Sequence, residues 1–139
     1  ELLLPMPETI DELRKEIQAT FDAAGDDIRL VHEQLRPAVI KLEEFFRKSK
    51  NIEALEDQVQ ILELMGDNRF RSMYLMDQYV VCKRILDIDS TKEEAQHQIE
   101  HHIIPYLARN HDEKETIAHL EKKYEEMKQN NYDYFLGNS

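Results

Sequence analysis

The sequence predicts an all-α fold, a single-domain antiparallel bundle of about five or six helices. Apolar residues recur at spacings of three or four over long stretches, as they do on one face of a helix. The composition favours helix formers, with only 3 glycines in 139 residues. Alternation with period two, the pattern of a half-buried strand, is rare. A chain of this length suits one domain whose core needs no disulfide.

The first two predicted helices share one apolar seam with coiled-coil-like spacing. Gly25, followed by two aspartates, indicates a helix end and a new start. The unbroken phase of the seam favours instead one long helix, kinked where Pro37 lacks its N–H. We favour a break near Gly25 and a kink near Pro37. The seam consists of Ile10, Leu13, Ile17, Phe21, Ala24, Ile28, Val31, Leu35, Val39, Leu42 and Phe46.

The later helices are placed by their apolar spacing and by capping boxes. Capping-box patterns, with a glutamate three residues after the cap, predict helix starts at Thr9, Ser90 and Asn110. A further helix is predicted from Ile52 to Met65, where Gly66 follows. The resulting organisation is an apolar N-terminal arm at 1–7, a helical bundle domain at 8–129 and a C-terminal tail at 130–139.

The charge of the chain restricts its partners. Asp and Glu number 29 against 18 Lys and Arg, a formal net charge of −11. This charge repels a phosphate backbone and an anionic lipid surface, so we expect no nucleic acid and no membrane as partner. No apolar run approaches the ~20 residues of a spanning helix. A basic protein surface would be attracted.

The lone cysteine bears on the compartment. Cys82 has no partner for an internal disulfide, which fits a cytoplasmic, intracellular protein. The chain begins at Glu1 rather than at Met, which leaves open whether it is a fragment or a processed form of a longer protein.

Four of the six histidines lie between Ala95 and His111, which raises the question of a metal site. The candidate ligands are His97, His101 and Glu94, because Glu94 and His97 match half of a di-iron Glu-x-x-His pattern. At 100° per residue these three face away from a core stripe made by Ala95, Ile99, His102 and Tyr106. We therefore predict no metal and no cofactor, with His97 and His101 in solvent and His102 at the core or its boundary.

Two short stretches resemble known families. "HQIEHHIIPYL", from His97, resembles the hemerythrin-like family, whose bundles carry a His-x-x-x-Glu helix running toward a Pro, and this implies a metal-binding bundle. The fourth residue after His97 is His101 instead of Glu, and the early-helix histidine of that family is absent. "HEQLRP", from His32 to Pro37, resembles the phosphoacceptor box of histidine kinases and implies phosphotransfer at His32. Arg36 is one position late, and no nucleotide-binding Gly-rich box follows.

Other catalytic signals are absent from the sequence, and we predict that the chain is not an enzyme. Acidic pairs such as Glu125–Glu126 fall on polar helix faces. Cys82 follows an apolar run, which predicts a small buried hydrophobic residue. The sequence contains no phosphate-binding Gly-rich motif.

The Met- and Tyr-rich segment "FRSMYLMDQYVVCKRIL", residues 70–86, is apolar on more than one face. Such a helix is either central in the bundle or completed by a partner. We assign Tyr74, Leu75 and Val81 to partner binding, with residues 132–136 as the next candidate. The expected function is a non-enzymatic protein–protein interaction or scaffolding and regulatory domain. Its partner would be another helical protein, a basic surface, or a second copy in an oligomer.

Overall fold

The computed structural model describes residues 9–49, 51–65 and 74–130, and all regular structure in these ranges is helical, with no strand. The predicted all-α class is therefore confirmed. The predicted arm at 1–7 and the tail from 131 onward lie outside the described residues. The helices are α1 (Ile10–Ala24), α2 (Ile28–Lys48), α3 (Ile52–Met65), α4 (Leu75–Ile88), α5 (Glu93–Gln98), a π-helical turn (Ile99–Ile103), α6 (Ile104–Leu107) and α7 (Glu113–Gln129).

The break between α1 and α2 lies where the glycine and aspartates predict it. Gly25 adopts φ 60°, a left-handed backbone, and its N–H donates to the Phe21 carbonyl at 3.1 Å. Asp27 then caps α2, since its Oδ1 accepts the Leu30 N–H at 3.1 Å. Helix α2 continues for 21 residues through Pro37 without ending there. The helix therefore breaks at Gly25, although the apolar residues continue at helical spacing across the break.

Only one of the three predicted capping boxes is correct. Thr9 caps α1 by accepting a backbone N–H of the first turn. The caps of α5 and α7 are Lys92 and Asp112, two residues after the predicted Ser90 and Asn110. At α7 the reason is visible, because the Asp112 carboxylate accepts two first-turn N–H groups and Asn110 is left in the preceding turn.

The core contains the predicted seam wherever the structure describes its side chains. Leu13, Ile17, Leu42 and Phe46 are fully buried, and Leu35 is nearly so, whereas Ile10, Phe21 and Ala24 pack at the edge of the same cluster. Burial at this spacing stabilises each helix against its neighbours, at roughly 1.5–3 kcal/mol per large apolar side chain. The assignment of the seam to the core is thus confirmed.

Helix α4 is central in the packing, and this corrects the predicted interface. It contacts α3, α5, the π turn and α7. Tyr74, Leu75 and Val81, which we assigned to an exposed surface, have exposed fractions of 7 %, 3 % and 0 %. The prediction that this face is accessible is wrong, because these three side chains are buried against other helices of the same chain. We do not assign partner binding to these three residues.

Two polar contacts fix α4 to helices distant in sequence. The buried Arg84 side chain donates through Nη1 to the Phe46 carbonyl, and its guanidinium lies 4.7 Å from the centre of the Phe46 ring. Tyr124 Oη donates to Asp87 Oδ2 at 2.5 Å. These contacts satisfy buried polar groups and connect α4 to the end of α2 and to α7.

One core position carries a side chain with unsatisfied hydrogen-bonding groups. Gln58 is fully buried in α3. It lies three residues after Leu55 and four before Leu62, and both of these leucines are buried. Neither its Oε1 nor its Nε2 has a hydrogen-bond partner within the described structure. Burying such a carboxamide unpaired is unfavourable, because it loses its hydrogen bonds to water and gains none.

We expect Gln58→Met to raise the free energy of unfolding by about 1–3 kcal/mol, because an unbranched apolar side chain removes the unpaired polar atoms. The measurement is a urea unfolding curve followed by circular dichroism. Gln34→Met, at an exposed position of α2, is the control and should change the midpoint little. A midpoint lowered by Gln58→Met would show that the carboxamide makes a stabilising contact.

Candidate functional site

A cleft of about 140 Å³ lies between α3, α4 and α5. Its polar lining consists of three carboxylates and two carboxamides, and its apolar lining comes from all three helices. We call it the acidic cleft. Its lining residues are Glu56, Val59, Gln60, Glu63, Cys82, Ile85, Glu94, Ala95 and Gln98.

A small polar network holds one end of the acidic cleft. Gln98 Nε2 lies 3.2 Å from Glu63 Oε1 and 3.3 Å from Gln78 Oε1, so that α5 is hydrogen-bonded to both α3 and α4. Partial burial raises the pKa of the Glu63 carboxyl above its usual value, and the nearby His102 opposes this rise. Glu63 is therefore a carboxylate that loses part of its hydration and gains little compensation from neighbouring cations.

The thiol in the acidic cleft is unsuited to nucleophilic chemistry. Cys82 is only 1 % exposed. Burial, and next the negative charge of Glu63, raise the pKa of this thiol to about 12. Because the thiolate is the reactive form, Cys82 stays protonated and unreactive near neutral pH. This agrees with the sequence interpretation of Cys82 as a small buried hydrophobe.

The size of the acidic cleft limits what it can hold. Sites for substrates and cofactors usually have volumes of about 300–1,000 Å³. A cavity near 150 Å³ accommodates a group of the size of benzene. The acidic cleft therefore suits a single side-chain end group.

A second candidate feature lies beside the acidic cleft, at the π turn. The Ile104 N–H donates to the Ile99 carbonyl, an i→i+5 bond. Pro105 follows directly, and in an α-helix its ring would collide with the His101 carbonyl. A wider turn just before Pro105 relieves that collision. The sequence cue for the irregular turn is thus Pro105.

The π turn changes which side chains face the core, and this corrects the predicted position of His102. We expected His102 on the core stripe after Ala95 and Ile99. His102 is instead exposed, and Ile103 is fully buried in its place. The physical reason is that the wider turn inserts one residue relative to a phase of 100° per residue, so the core stripe advances by one position.

The same shift brings three exposed histidines together. The ring centres of His97 and His101 are 4.4 Å apart, and those of His97 and His102 are 5.6 Å apart. We call these three residues the histidine cluster. In the conformation of the structure, no three His, Cys, Asp or Glu side chains of the described ranges are placed so as to hold a metal ion.

The other candidate residues of the sequence analysis are Glu94 and His32. Glu94 lines the acidic cleft and is exposed, and it does not form a metal-holding group with His97 and His101. His111, which precedes α7, and His119, within α7, are both exposed. The side chain of His32 lies outside the described residues, so the resemblance to a phosphoacceptor box stays a prediction.

Sequence reasoning missed most of the acidic cleft. One face of α3, beside its buried residues, carries three polar side chains at spacings of four and three: Glu56, Gln60 and Glu63. That spacing was the available signal, but it resembles the polar face of any surface helix. What distinguishes this face is that α5 packs on the neighbouring α4, so that residues of α5 line the same cleft.

Comparison with known proteins adds no family to these observations. No protein family, no curated protein and no solved structure matches the chain. Within the described ranges, every helix is too short or too polar to span a bilayer.

Proposed function

We propose that this chain is a non-enzymatic protein-interaction domain whose acidic cleft receives a Lys or Arg side chain of a basic partner protein. The observation that carries the proposal is the lining of the cleft. Glu56, Glu63 and Glu94 approach it from two helices, and none of its lining residues is basic. A cationic group entering the cleft would meet three carboxylates and two carboxamide oxygens, which together suit an ammonium or a guanidinium.

The electrostatics of the whole chain support this choice of partner. The formal net charge is −11, so a basic protein is attracted at long range before it contacts the cleft. At the cleft itself, partial burial raises the pKa of Glu63. A cation from a partner would stabilise the charged form of this carboxylate, and this interaction favours binding.

An exposed apolar residue beside the cleft supports a protein as the partner. Ile88 has an exposed fraction of 46 %, and it follows the cleft residue Ile85 by three positions on α4. A partner side chain inserted in the cleft would bring neighbouring apolar groups against Ile88. Small interfaces commonly combine such an apolar contact with a surrounding polar rim.

The scaffold that we infer is the antiparallel bundle that the sequence predicts. Gln98 contacts Glu63 near the end of α3 and Gln78 near the start of α4, whereas Glu56, near the start of α3, and Ile85, near the end of α4, both line the cleft. This pairing of ends supports antiparallel α3 and α4. The buried, unpaired thiol of Cys82 supports the cytoplasmic setting that we propose with it.

The proposal is tested with hexalysine as a defined basic probe, using hexaglutamate as its charge-reversed counterpart. We expect hexalysine to shift the backbone amide NMR signals of α3, α4 and α5 around the cleft. Glu56→Gln combined with Glu63→Gln should weaken binding by roughly 2- to 30-fold, because each exposed ion pair contributes about 0.2–1 kcal/mol. Raising the salt concentration should weaken binding of the parent chain as well.

The matched control is Glu125→Gln with Glu126→Gln on α7, where both side chains are exposed. It changes the net charge by the same amount at a distance in sequence from the cleft. Equal loss of hexalysine binding in both double variants would show that only the overall charge matters, and the cleft would then not be the binding site. Self-association is checked separately by light scattering, and a dimer that persists in the cleft variant would locate the interface elsewhere.

A further inference from the structure

We propose that His97, His101 and His102 form an exchangeable surface site for one divalent transition-metal ion of the Zn²⁺, Ni²⁺ or Cu²⁺ class. This inference is independent of the proposed function, because it rests on the π turn and on residues that do not line the acidic cleft.

The backbone explains why three imidazoles meet here. His97 and His101 are four residues apart and are neighbours on any helix. His102 is five residues from His97, and in a regular α-helix it would lie about 140° around the axis. The i→i+5 bonding of Ile99–Ile103 instead places His102 near His97, with an edge-on ring contact.

The ring separations agree with a shared ion. Two imidazoles that bind one ion at about 2.0–2.1 Å have ring centres roughly 4.5–5.5 Å apart. The observed separations from the His97 ring are 4.4 Å to His101 and 5.6 Å to His102. Both values lie within about 0.1 Å of that range, and in the structure the rings do not direct three nitrogens to a common point.

Ring rotation completes the site. His97, His101 and His102 are all exposed, so rotation about χ1 and χ2 costs little packing energy and no buried contact is lost. An ion approaching from solvent can draw the three imidazoles together while water fills its remaining coordination positions. The three histidines lie outside the hydrophobic core cluster, and the proposed site departs from the sequence prediction of no metal.

The surroundings favour a cation over an anion. Glu63 is close enough to His102 for an electrostatic interaction, and Glu100 is exposed within the π turn itself. These carboxylates raise the local concentration of cations. Imidazole nitrogens then select borderline transition metals over Mg²⁺ and Ca²⁺, which prefer oxygen ligands.

The test is a titration of the tag-free 139-residue chain with NiCl₂ in a non-coordinating buffer, measured by calorimetry. We expect one Ni²⁺ ion per chain. His97→Gln and His102→Gln should each weaken binding by at least about tenfold, because each removes a metal–nitrogen bond worth more than about 1.4 kcal/mol. With Cu²⁺, the electron paramagnetic resonance spectrum should show nitrogen hyperfine splitting that decreases in both variants.

The control is His119→Gln, which removes an exposed histidine on α7 and should leave binding unchanged. Normal Ni²⁺ affinity in His102→Gln would reduce the site to an ordinary pair of helical histidines and overturn the proposal. Weak binding of several ions that none of the three substitutions alters would show diffuse association with carboxylates, and would overturn it as well. Because all three positions are exposed, helicity measured by circular dichroism should be the same in every variant.

Discussion

Replacing both Tyr74 and Leu75 with aspartate is expected to unfold the domain. Tyr74 is 7 % exposed and Leu75 is 3 % exposed, at the start of the central helix α4. Burying the two carboxylates without cationic partners is destabilising by several kcal/mol after all relaxation, and capping of α4 by Asp at position 74, its N-cap, offsets only about 0.5–2 kcal/mol of this. Together with the lost apolar burial, the cost approaches or exceeds the total stability of about 5–15 kcal/mol that is usual for a domain.

The measurement is the far-ultraviolet circular dichroism spectrum with a thermal melt, in which the double variant should lose its helical signal and its cooperative transition. Ile40→Asp with Ile88→Asp is the matched control. It adds the same two charges at isoleucines whose exposed fractions are 58 % and 46 %, and it should retain both. A folded Tyr74→Asp/Leu75→Asp variant would contradict the burial of this face and would restore it as a candidate interface.

Ile17→Ala and Leu35→Ala are each expected to lower the free energy of unfolding by about 2–5 kcal/mol. Both residues lie in the core, with exposed fractions of 0 % and 2 %. Truncation removes apolar burial and leaves a cavity that the surrounding helices fill only in part. Helices α1 and α2 contact each other along this seam, so a loss at either position weakens the same interface.

Urea unfolding curves test this expectation, with Ile40→Ala on α2 as the control. Ile40 is exposed, and the same type of truncation there should change stability by no more than about 0.5 kcal/mol. If the midpoints of Ile17→Ala and Leu35→Ala match that of the control, the seam does not form the core.

The two proposed sites depend on different residues and can be tested separately. Binding of a basic partner depends on Glu56 and Glu63, whereas binding of a metal ion depends on His97 and His102. The residues of the two sets do not overlap, although Glu63 and His102 interact electrostatically. A variant of one set that abolished both kinds of binding would indicate that the two sites are coupled through this pair.

The local signals of the sequence determined the helical class, the break at Gly25 and the core role of the seam from Leu13 to Phe46. Each of these depends on residues close together in the chain: a glycine that accepts φ 60°, an aspartate that caps, and apolar residues at helical spacing. Such short-range preferences do not depend on how one helix packs against another.

Tertiary packing alone decided the surroundings of α4 and the arrangement of the acidic cleft. An apolar helix such as α4 gives the same pattern whether a neighbouring helix or a foreign partner covers it, and here α3, α5, the π turn and α7 cover it. Likewise, Glu56 and Glu63 line a cleft only because α4 and α5 contribute its other residues. The position of His102 was predicted wrongly for a different reason. The prediction assumed 3.6 residues per turn, and the π turn before Pro105 departs from that value.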